Sequence, residues 1–490
     1  MNVLDEATRF LAIKSICEEG NEELINFLIP RFEELGAKLI LQQVPHSLPD
    51  HTKRQYNLIG ILGDDLVDSR TKKGFLLTTH IDTPVPGLNT EWTKLAGNPW
   101  DAKKIDDKIY GLGAANAKLD FICKLQAFSR FAKEKLKQPI YLAATCGGES
   151  PLLGCKYLIQ SGALNPKYVL LGQPTGLTLI GSQRAQLSFQ VRMSFVAIEK
   201  DAHDFNAKIF ISSKSKSAYA VSNQSNQTAL ENIFYILDLL MKSPIPIKLF
   251  SLQSESSFHK LPDQAAVGVV IPAKELEGIR ERFKGLLINR AGSSYDMRFG
   301  GTGDRGIRLL PAEVLPALFL VKKEIAELGK ELGDRAIVNL AAIKPDKDSL
   351  NFTVHFSISP EAAANAEMRK ELEQDFKNRI NNIAKNFKTL SFDCRRVVFY
   401  PNFHIDSENT FAKTLSSELS RMGMDGKIHT SEKSSEAAFF SEKGYDTLVF
   451  GPGEMQENAY RENENINISD LQMAARFYEQ AIDAFCVKGV

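Results

Sequence analysis

The chain is predicted to be an α/β protein, a mostly parallel sheet flanked by helices, with an α+β unit inserted partway along it. Three observations predict this. Over roughly the first 175 residues, apolar runs that end in polar residues alternate with segments of helical spacing. From about Ser182 the strands become amphipathic, as in QLSFQVRMSFV, the pattern of antiparallel sheets with one wet face. Near residue 394 the strand-and-helix alternation resumes. The division read from the sequence is therefore 1–181, 182–393 and 394–490, the first and last parts forming one α/β domain around the insert.

Taken in order, Phe10, Leu11, Ile13 and Ile16, then Leu24, Phe27, Leu28, Phe32 and Leu35, lie at helical spacing and predict two helices that end at Gly36. AKLILQQV, YNLIGIL and KGFLLTTHID read as strands. The last is a buried apolar run opening into polar residues, and in open α/β sheets functional side chains collect at such C-terminal strand ends. A Gly-rich turn leads into a helix at KLDFICKLQAFSRF. QPIYLAATCGGES is strand then loop, LLGCKYLIQSG a helix closed by Gly162, and YVLLGQPTG another strand-to-loop unit. Within the insert, TALENIFYILDLLMK reads as a helix. After it come the strand RRVVFYPN, a helix from Glu408 to Met422, the strand GYDTLVFGPG and a last helix from Ser469 to Phe485.

The composition is that of a globular protein, 43% hydrophobic and 24% charged, with no net charge. No basic excess points to nucleic acid or an acidic membrane, and no apolar run is long enough to span a bilayer. The N-terminus carries early acids and does not read as a signal peptide. Cys17, Cys123, Cys146, Cys155, Cys394 and Cys486 are scattered, without metal-site spacing, and read as reduced thiols of a cytoplasmic protein.

Five segments carry a resemblance: LLTTHIDTPVPG, YGLGAANAKLD, ATCGGESPLLGCKYL, YVLLGQPTG and VFGPGEMQENAYRENENI. In this order, each at a strand end, they resemble the signature blocks of the co-catalytic zinc aminoacylase/carboxypeptidase family. That family includes acetylornithine deacetylases, succinyl-diaminopimelate desuccinylases and PepV-like dipeptidases. The resemblance implies a zinc-exopeptidase-like catalytic domain with an inserted lid, and hydrolysis of C–N bonds by two zinc ions. One carboxylate would bridge the ions, a His and a carboxylate would complete each site, and a separate Glu would take a proton from metal-bound water.

Carried over position by position, that pattern is broken. His80 falls on a zinc ligand and Asp82 on the carboxylate that orients it; both are retained. The bridging Asp falls on Asn116, whose amide is neutral. Glu149 matches a ligand, but the general-base Glu before it falls on Gly148, which has no side chain to accept a proton. Gln173 stands at another ligand carboxylate and Tyr460 at the second ligand His. The neighbours Gly111, Gly113, Lys118, Gly154, Pro174, Gly451 and Gly453 stay family-like, and Glu464 matches the pattern; Gly453 and Glu464 are candidate substrate contacts.

The resemblance implies zinc; the replacements predict that it is absent or reduced to one weakly held ion on His80, Glu149 and Asn116. Asp120, Glu454, Glu457 and Glu462 are available substitutes, but read more simply as solvated surface acids. Cys146 reads as a buried structural thiol rather than a nucleophile. The family's lid His, which stabilises an oxyanion, falls on Tyr219 of SKSAYAV, with His203 of KDAHDF as a rival. HKLPDQA, with Pro262 and Asp263, resembles the family's lid turn, although His259 replaces the usual Asn. The length of the insert resembles the double lid of PepV-like members and implies a monomer. Three expectations follow. The first is a degenerate family member, of dipeptidase or N-acyl-amino-acid deacylase type, that binds a small peptide-like or acyl-amino-acid ligand without dizinc hydrolysis. The second is a working amidohydrolase with one metal or substitute ligands. The third is an interaction scaffold.

Overall fold

The computed structural model describes residues 3–45, 53–63, 71–149, 152–196, 198–199, 207–214, 228–255, 261–262, 264–286, 294–300, 308–364, 366–455, 458–459 and 461–490. The chain divides into two compact units, residues 1–183 with 403–490, and residues 184–402.

The first unit opens with α1 (Val3–Ala12) and α2 (Glu22–Glu34), whose Leu24, Ile25, Leu28 and Phe32 recur at helical spacing and are buried. Strands β1 (Lys38–Val44), β2 (Gln55–Leu62) and β3 (Phe75–His80) follow, then the short β4 (Lys103–Ile105) and β5 (Lys108–Tyr110) and helix α3 (Lys118–Arg130). Next come β6 (Ile140–Thr145), α4 (Leu153–Ser161), β7 (Tyr168–Gly172) and β8 (Leu179–Gln183). Helix α4 ends as expected at Gly162, in the left-handed conformation that favours glycine.

The inserted unit contains β9 (Ala185–Ser194), β10 (Ile198–Glu199), β11 (Ala207–Lys214), α5 (Ala229–Met241), β12 (Lys248–Glu255), β13 (Gln264–Ile271), α6 (Leu276–Leu286), β14 (Ser294–Gly300) and β15 (Arg308–Leu309). It continues with α7 (Val314–Leu332), β16 (Ala336–Asp346), β17 (Ser349–Ile358), α8 (Pro360–Ala364), α9 (Ala366–Ala384) and β18 (Ser391–Tyr400). Its longer strands form two antiparallel sheets, ordered β12-β13-β11-β14 and β16-β17-β9-β18. Helix α5 starts where Thr228 accepts the Glu231 N–H at 3.2 Å, a local start signal written in the sequence TALE. One large core holds most of the unit together, drawing on Phe189, Phe234, Phe352, Phe356 and Phe376 among others. The sequence boundary at 393/394 needs correcting. It falls inside β18, which pairs along its length with β9, so the insert runs to residue 402.

The first unit closes with β19 (Phe403–His404), α10 (Thr410–Arg421), β20 (Ile428–Ser431), α11 (Ala437–Glu442), β21 (Asp446–Phe450), β22 (Asn465–Asn467) and α12 (Ile468–Ile482). Its main sheet runs β1-β2-β6-β3-β7-β21-β8-β19, with β20 on β8. The centre, β6-β3-β7-β21, is parallel; β1 and β2 are antiparallel additions at one edge. Strand β3 is buried along its whole length. Because side chains alternate across a strand, Phe75 and Leu77 join the core that includes Phe10, Phe121 and Phe485, while Leu76 joins the opposite one, with Tyr141, Leu158 and Phe440. The parallel strands therefore deliver His80, Thr145, Gly172 and Phe450 to one end of the sheet. Among the described residues no helix is long and apolar enough to cross a membrane.

Candidate functional site

At the end of β3, His80 and Asp82 are each 2% exposed. Asp82 accepts the backbone N–H of Gly148 (Oδ1) and of Glu149 (Oδ2), both at 2.9 Å, and so ties the loop after β6 to the strand end. Its Oδ1 lies 3.5 Å from His80 Nδ1. Burial acts against charge on both groups, but their mutual attraction outweighs it. The imidazole, helped by the charges of Glu149 and Glu436, is pushed up to about 10. The Asp82 carboxyl, helped by the two N–H groups, is held below its ordinary value.

Opposite this pair stands the turn before α3. Glu464, 1% exposed, accepts the N–H of Gly113 on Oε2 (3.2 Å) and those of Ala115 and Asn116 on Oε1 (2.8 and 2.9 Å). Burial lifts this carboxyl to about 7, and the three N–H groups limit the rise. Glu464 holds the turn that presents Asn116. The peptide bond after Asn116 is cis. Gly453, at positive φ, lets the loop after β21 lie against the same turn; a Cβ there would stand 3.1 Å from Ala115 Cα. Glu464→Ala leaves three buried donors without an acceptor. It is expected to cost about 2–4 kcal/mol in urea unfolding followed by tryptophan fluorescence.

The turn and the β6 loop meet at one contact: Asn116 Nδ2 donates to Glu149 Oε1 at 2.6 Å. Gly148 lies directly beneath the imidazole, where a Cβ would stand 2.2 Å from His80 Cγ. His80, Asp82, Asn116, Gly148 and Glu149 are therefore gathered in one place. Gln173 follows the end of β7, the parallel neighbour of β3, and stands at the same end of the sheet. With Thr175, Gln183, Ser431 and Ser435 it lines a small hollow of about 40 Å³. Tyr219 and Tyr460 lie outside the described residues, as do His203, His259, Asp263 and Glu457. Cys146 is buried, and burial together with the Asp82 charge raises its thiol well above the ordinary value. Among the described residues, no three His, Cys, Asp or Glu side chains are placed to hold a metal ion.

Two features go beyond the sequence reading. Asp120, expected on the surface, is 2% exposed. Its Oδ2 lies 2.8 Å from Lys124 Nζ and accepts the Thr79 hydroxyl at 2.5 Å, while Oδ1 accepts the Tyr478 hydroxyl. Lys124 also donates to Thr78 O and Thr79 Oγ1, both at 2.8 Å. Residues Lys118 to Leu125 of α3 are all buried, so the charged residues among them have no wet face to occupy. Glu454 and Glu462 are exposed, as expected.

The second feature is Glu436, fully buried just before α11. Its neighbour Ser435 is fixed by Gln183 Oε1, which accepts the Ser435 N–H at 2.9 Å and its hydroxyl at 2.6 Å. Among the described residues, neither Glu436 carboxylate oxygen has a hydrogen-bond partner. Burial raises this carboxyl from 4.5 to about 7, with Asp82 adding to the rise and His80 and Lys124 opposing it. Between those two pH values the folded chain holds the proton more tightly than the unfolded chain. This group's contribution to stability is thus full below 4.5 and is lost as the pH rises through about 7. Glu436→Gln removes that loss. The variant is expected to be more stable than the parent at pH 8, by up to about 3 kcal/mol, and level with it near pH 4.5. Urea midpoints across this range measure the difference.

The family described as Peptidase family M20/M25/M40 matches residues 76–484. An acetylornithine deacetylase from Yersinia pseudotuberculosis serotype O:1b (strain IP 31758) is 31% identical over 183 residues, 37% of this chain and 44% of that protein. Another, from Photorhabdus laumondii, is 33% identical over 176 residues, 36% of this chain and 42% of that protein. The match thus spans less than half the length of these relatives. The structure resembles an aminoacylhistidine dipeptidase from Vibrio alginolyticus, with a TM-score of 0.63 at 13% identity, covering 98% of this chain and 96% of that one. It also resembles the metallo-carboxypeptidase Sso-CP2 from Sulfolobus solfataricus, with a TM-score of 0.56 at 18% identity and 98% of each chain covered. Identities this low speak to the fold, whereas the family match runs through every strand end that builds the site. The chain belongs to peptidase family M20/M25/M40.

Proposed function

We propose that this chain is a family member whose site no longer performs two-metal hydrolysis and instead binds a small peptide-like or acyl-amino-acid ligand. One observation carries the reading: the Asn116 amide donates to Glu149 at 2.6 Å. In the family pattern both positions carry carboxylates, which turn toward a shared pair of cations. Here the Asn116 N–H takes the place of a cation against Glu149.

The rest of the donor set supports this. Zinc sites of this class draw on anionic oxygen and neutral imidazole. Asp82 is engaged by two backbone N–H groups. Asn116 and Gln173 offer only neutral amide oxygens. The residues present do not suit two zinc ions, and no step is assigned to metal. Without it, water keeps a pKa near ~15.7 instead of ~7. Without a carboxylate at Gly148, proton removal loses a factor on the order of 10² to 10⁴. In the same reading the protein is a cytoplasmic monomer, without nucleic-acid or membrane partners.

A second reading keeps a single-metal amidohydrolase. Its support is the gathering of His80, Glu149 and Asn116, whose Oδ1 has no partner among the described residues. One experiment separates the two. A panel of dipeptides and N-acyl amino acids is offered to the parent, His80→Ala and Glu149→Ala. The first reading expects background turnover from all three; turnover by the parent that either substitution abolishes would establish the second.

A further inference from the structure

In the inserted unit, the sheet β12-β13-β11-β14 turns one face to the core, where Ile209, Ile211, Val267 and Val269 are buried. Side chains alternate along a strand, so the register fixes what stands on the other face. Gln253, Ala266 and Ser212 form one row across β12, β13 and β11, and Gln264 and Lys214 form the next. Ala266 is the short member between two longer ones. These residues line a hollow of about 90 Å³.

Ser213 and Ser254 border the hollow from the core side, and their hydroxyls are taken by Asn232 Nδ2 (3.2 Å) and the Ile343 N–H (2.8 Å). The side chains of Ser212, Lys214, Gln253 and Gln264 make no hydrogen bond or ion pair with the described residues. All four can donate: one ammonium, one hydroxyl and two amides. No described side chain lining the hollow is acidic. Of the acids beside it, Asp296, across from Ser212, is held by Arg298 Nε at 2.8 Å, and Glu255 ends β12 across from Gln264. Strands β11 and β12 flank β13, so Ser212 and Gln253 start from backbones roughly 10 Å apart. A ligand held from both sides must accept hydrogen bonds in several directions. Lys214 repels a metal ion. A carboxylate offers two oxygens in one plane, whereas a tetrahedral oxyanion offers three or four around one centre and pairs strongly with an ammonium.

We infer that this hollow binds a phosphate group, with Lys214 as the counter-charge and Ser212, Gln253 and Gln264 as hydrogen-bond donors. The inference concerns the inserted unit alone and does not depend on how the zinc question is decided. Phe210, two residues before Ser212 on the same face, is 44% exposed and offers an apolar surface to the body of a phosphate ester.

The test is calorimetric titration of the full chain with inorganic phosphate at pH 8, at constant ionic strength set by sodium chloride. Binding should saturate. Lys214→Met should weaken it by about tenfold or more. Ala266→Leu, which fills the hollow and removes no donor, should abolish it. Lys167→Met, at an exposed lysine of the first unit, should change nothing. Melting curves followed by circular dichroism should match the parent's and so show that the variants fold. Phenyl phosphate distinguishes the two sources of the group. Binding tighter than that of phosphate, and loosened to the same level by Phe210→Ala, assigns the hollow to an ester; equal binding assigns it to free phosphate. No saturable binding of either, or binding unchanged in Lys214→Met and Ala266→Leu, overturns the inference.

Discussion

Gly148→Glu, which returns a carboxylate to the position where the resemblance places the general base, is expected to restore no hydrolysis and to destabilise the fold. The obstacle is space. A Cβ at this position would lie 2.2 Å from His80 Cγ and 2.6 Å from Nδ1, far inside van der Waals contact. His80 cannot easily swing away, since it is 2% exposed and in contact with Asp82. Overpacking of this kind costs about 1–3 kcal/mol. A new carboxylate among Asp82, Glu149 and Glu436 adds repulsion and an unpaired buried charge. The sum should exceed about 3 kcal/mol and lower the melting temperature by roughly 5–10 °C. Gly148→Ala, which adds only the Cβ, should show the steric part alone, and adding His80→Ala to Gly148→Glu should recover much of the loss. Gly148 does not have positive φ, so backbone preference does not explain the glycine. A Gly148→Glu protein as stable as the parent and newly active on dipeptides would show that His80 does not occupy the space this structure gives it.

The second large effect concerns the buried pair beneath the site. Lys124 is fully buried, and its ammonium rests on Asp120, Thr79 and the Thr78 carbonyl, each at 2.8 Å. Lys124→Met leaves Asp120 with two hydroxyl donors and no cation, and breaking such a pair from one side costs about 3–5 kcal/mol. The double variant Lys124→Met/Asp120→Leu removes both charges and should lose markedly less than the two single losses added together. The only two tryptophans, Trp92 and Trp100, both lie in the first unit, so urea unfolding followed by their fluorescence reports this unit without the insert. Strict additivity would mean that the two side chains are not coupled. The pair also sits where little else fits: a Cβ at Gly172 would meet Asp120 Oδ2 at 1.8 Å.

Much of the fold is legible because its signals are local. An apolar run ending in polar residues places His80 at a strand end, glycine closes α4 at Gly162, and alternating residues mark β9. The edge strands are less legible, since β2 looks like the parallel strands that follow it and only pairing reveals that it runs against both of its neighbours. The 393/394 boundary is misplaced because RRVVFYPN carries no mark of the sheet it joins. In the site, His80, Asp82, Asn116 and Glu149 are readable from their motifs, and the structure gathers them. Glu436 is not readable: TSEKSSE has the composition of a wet loop, and only tertiary packing buries it. Asp120 sits four residues from Lys124, a spacing that usually marks a solvated pair. Its burial comes from the packing around α3, where every residue from Lys118 to Leu125 is buried.

The central claim is that amides at Asn116 and Gln173, with an Asn116 N–H on Glu149, leave too little negative oxygen at the ligand positions for two dications. Elemental analysis of the full-length protein, purified without chelator and dialysed against micromolar zinc, measures this directly. The account predicts far fewer than two zinc ions per chain, with the same content in Asn116→Ala and the parent. Two ions per chain, lost together when Glu149 or His80 is replaced by Ala, would contradict it.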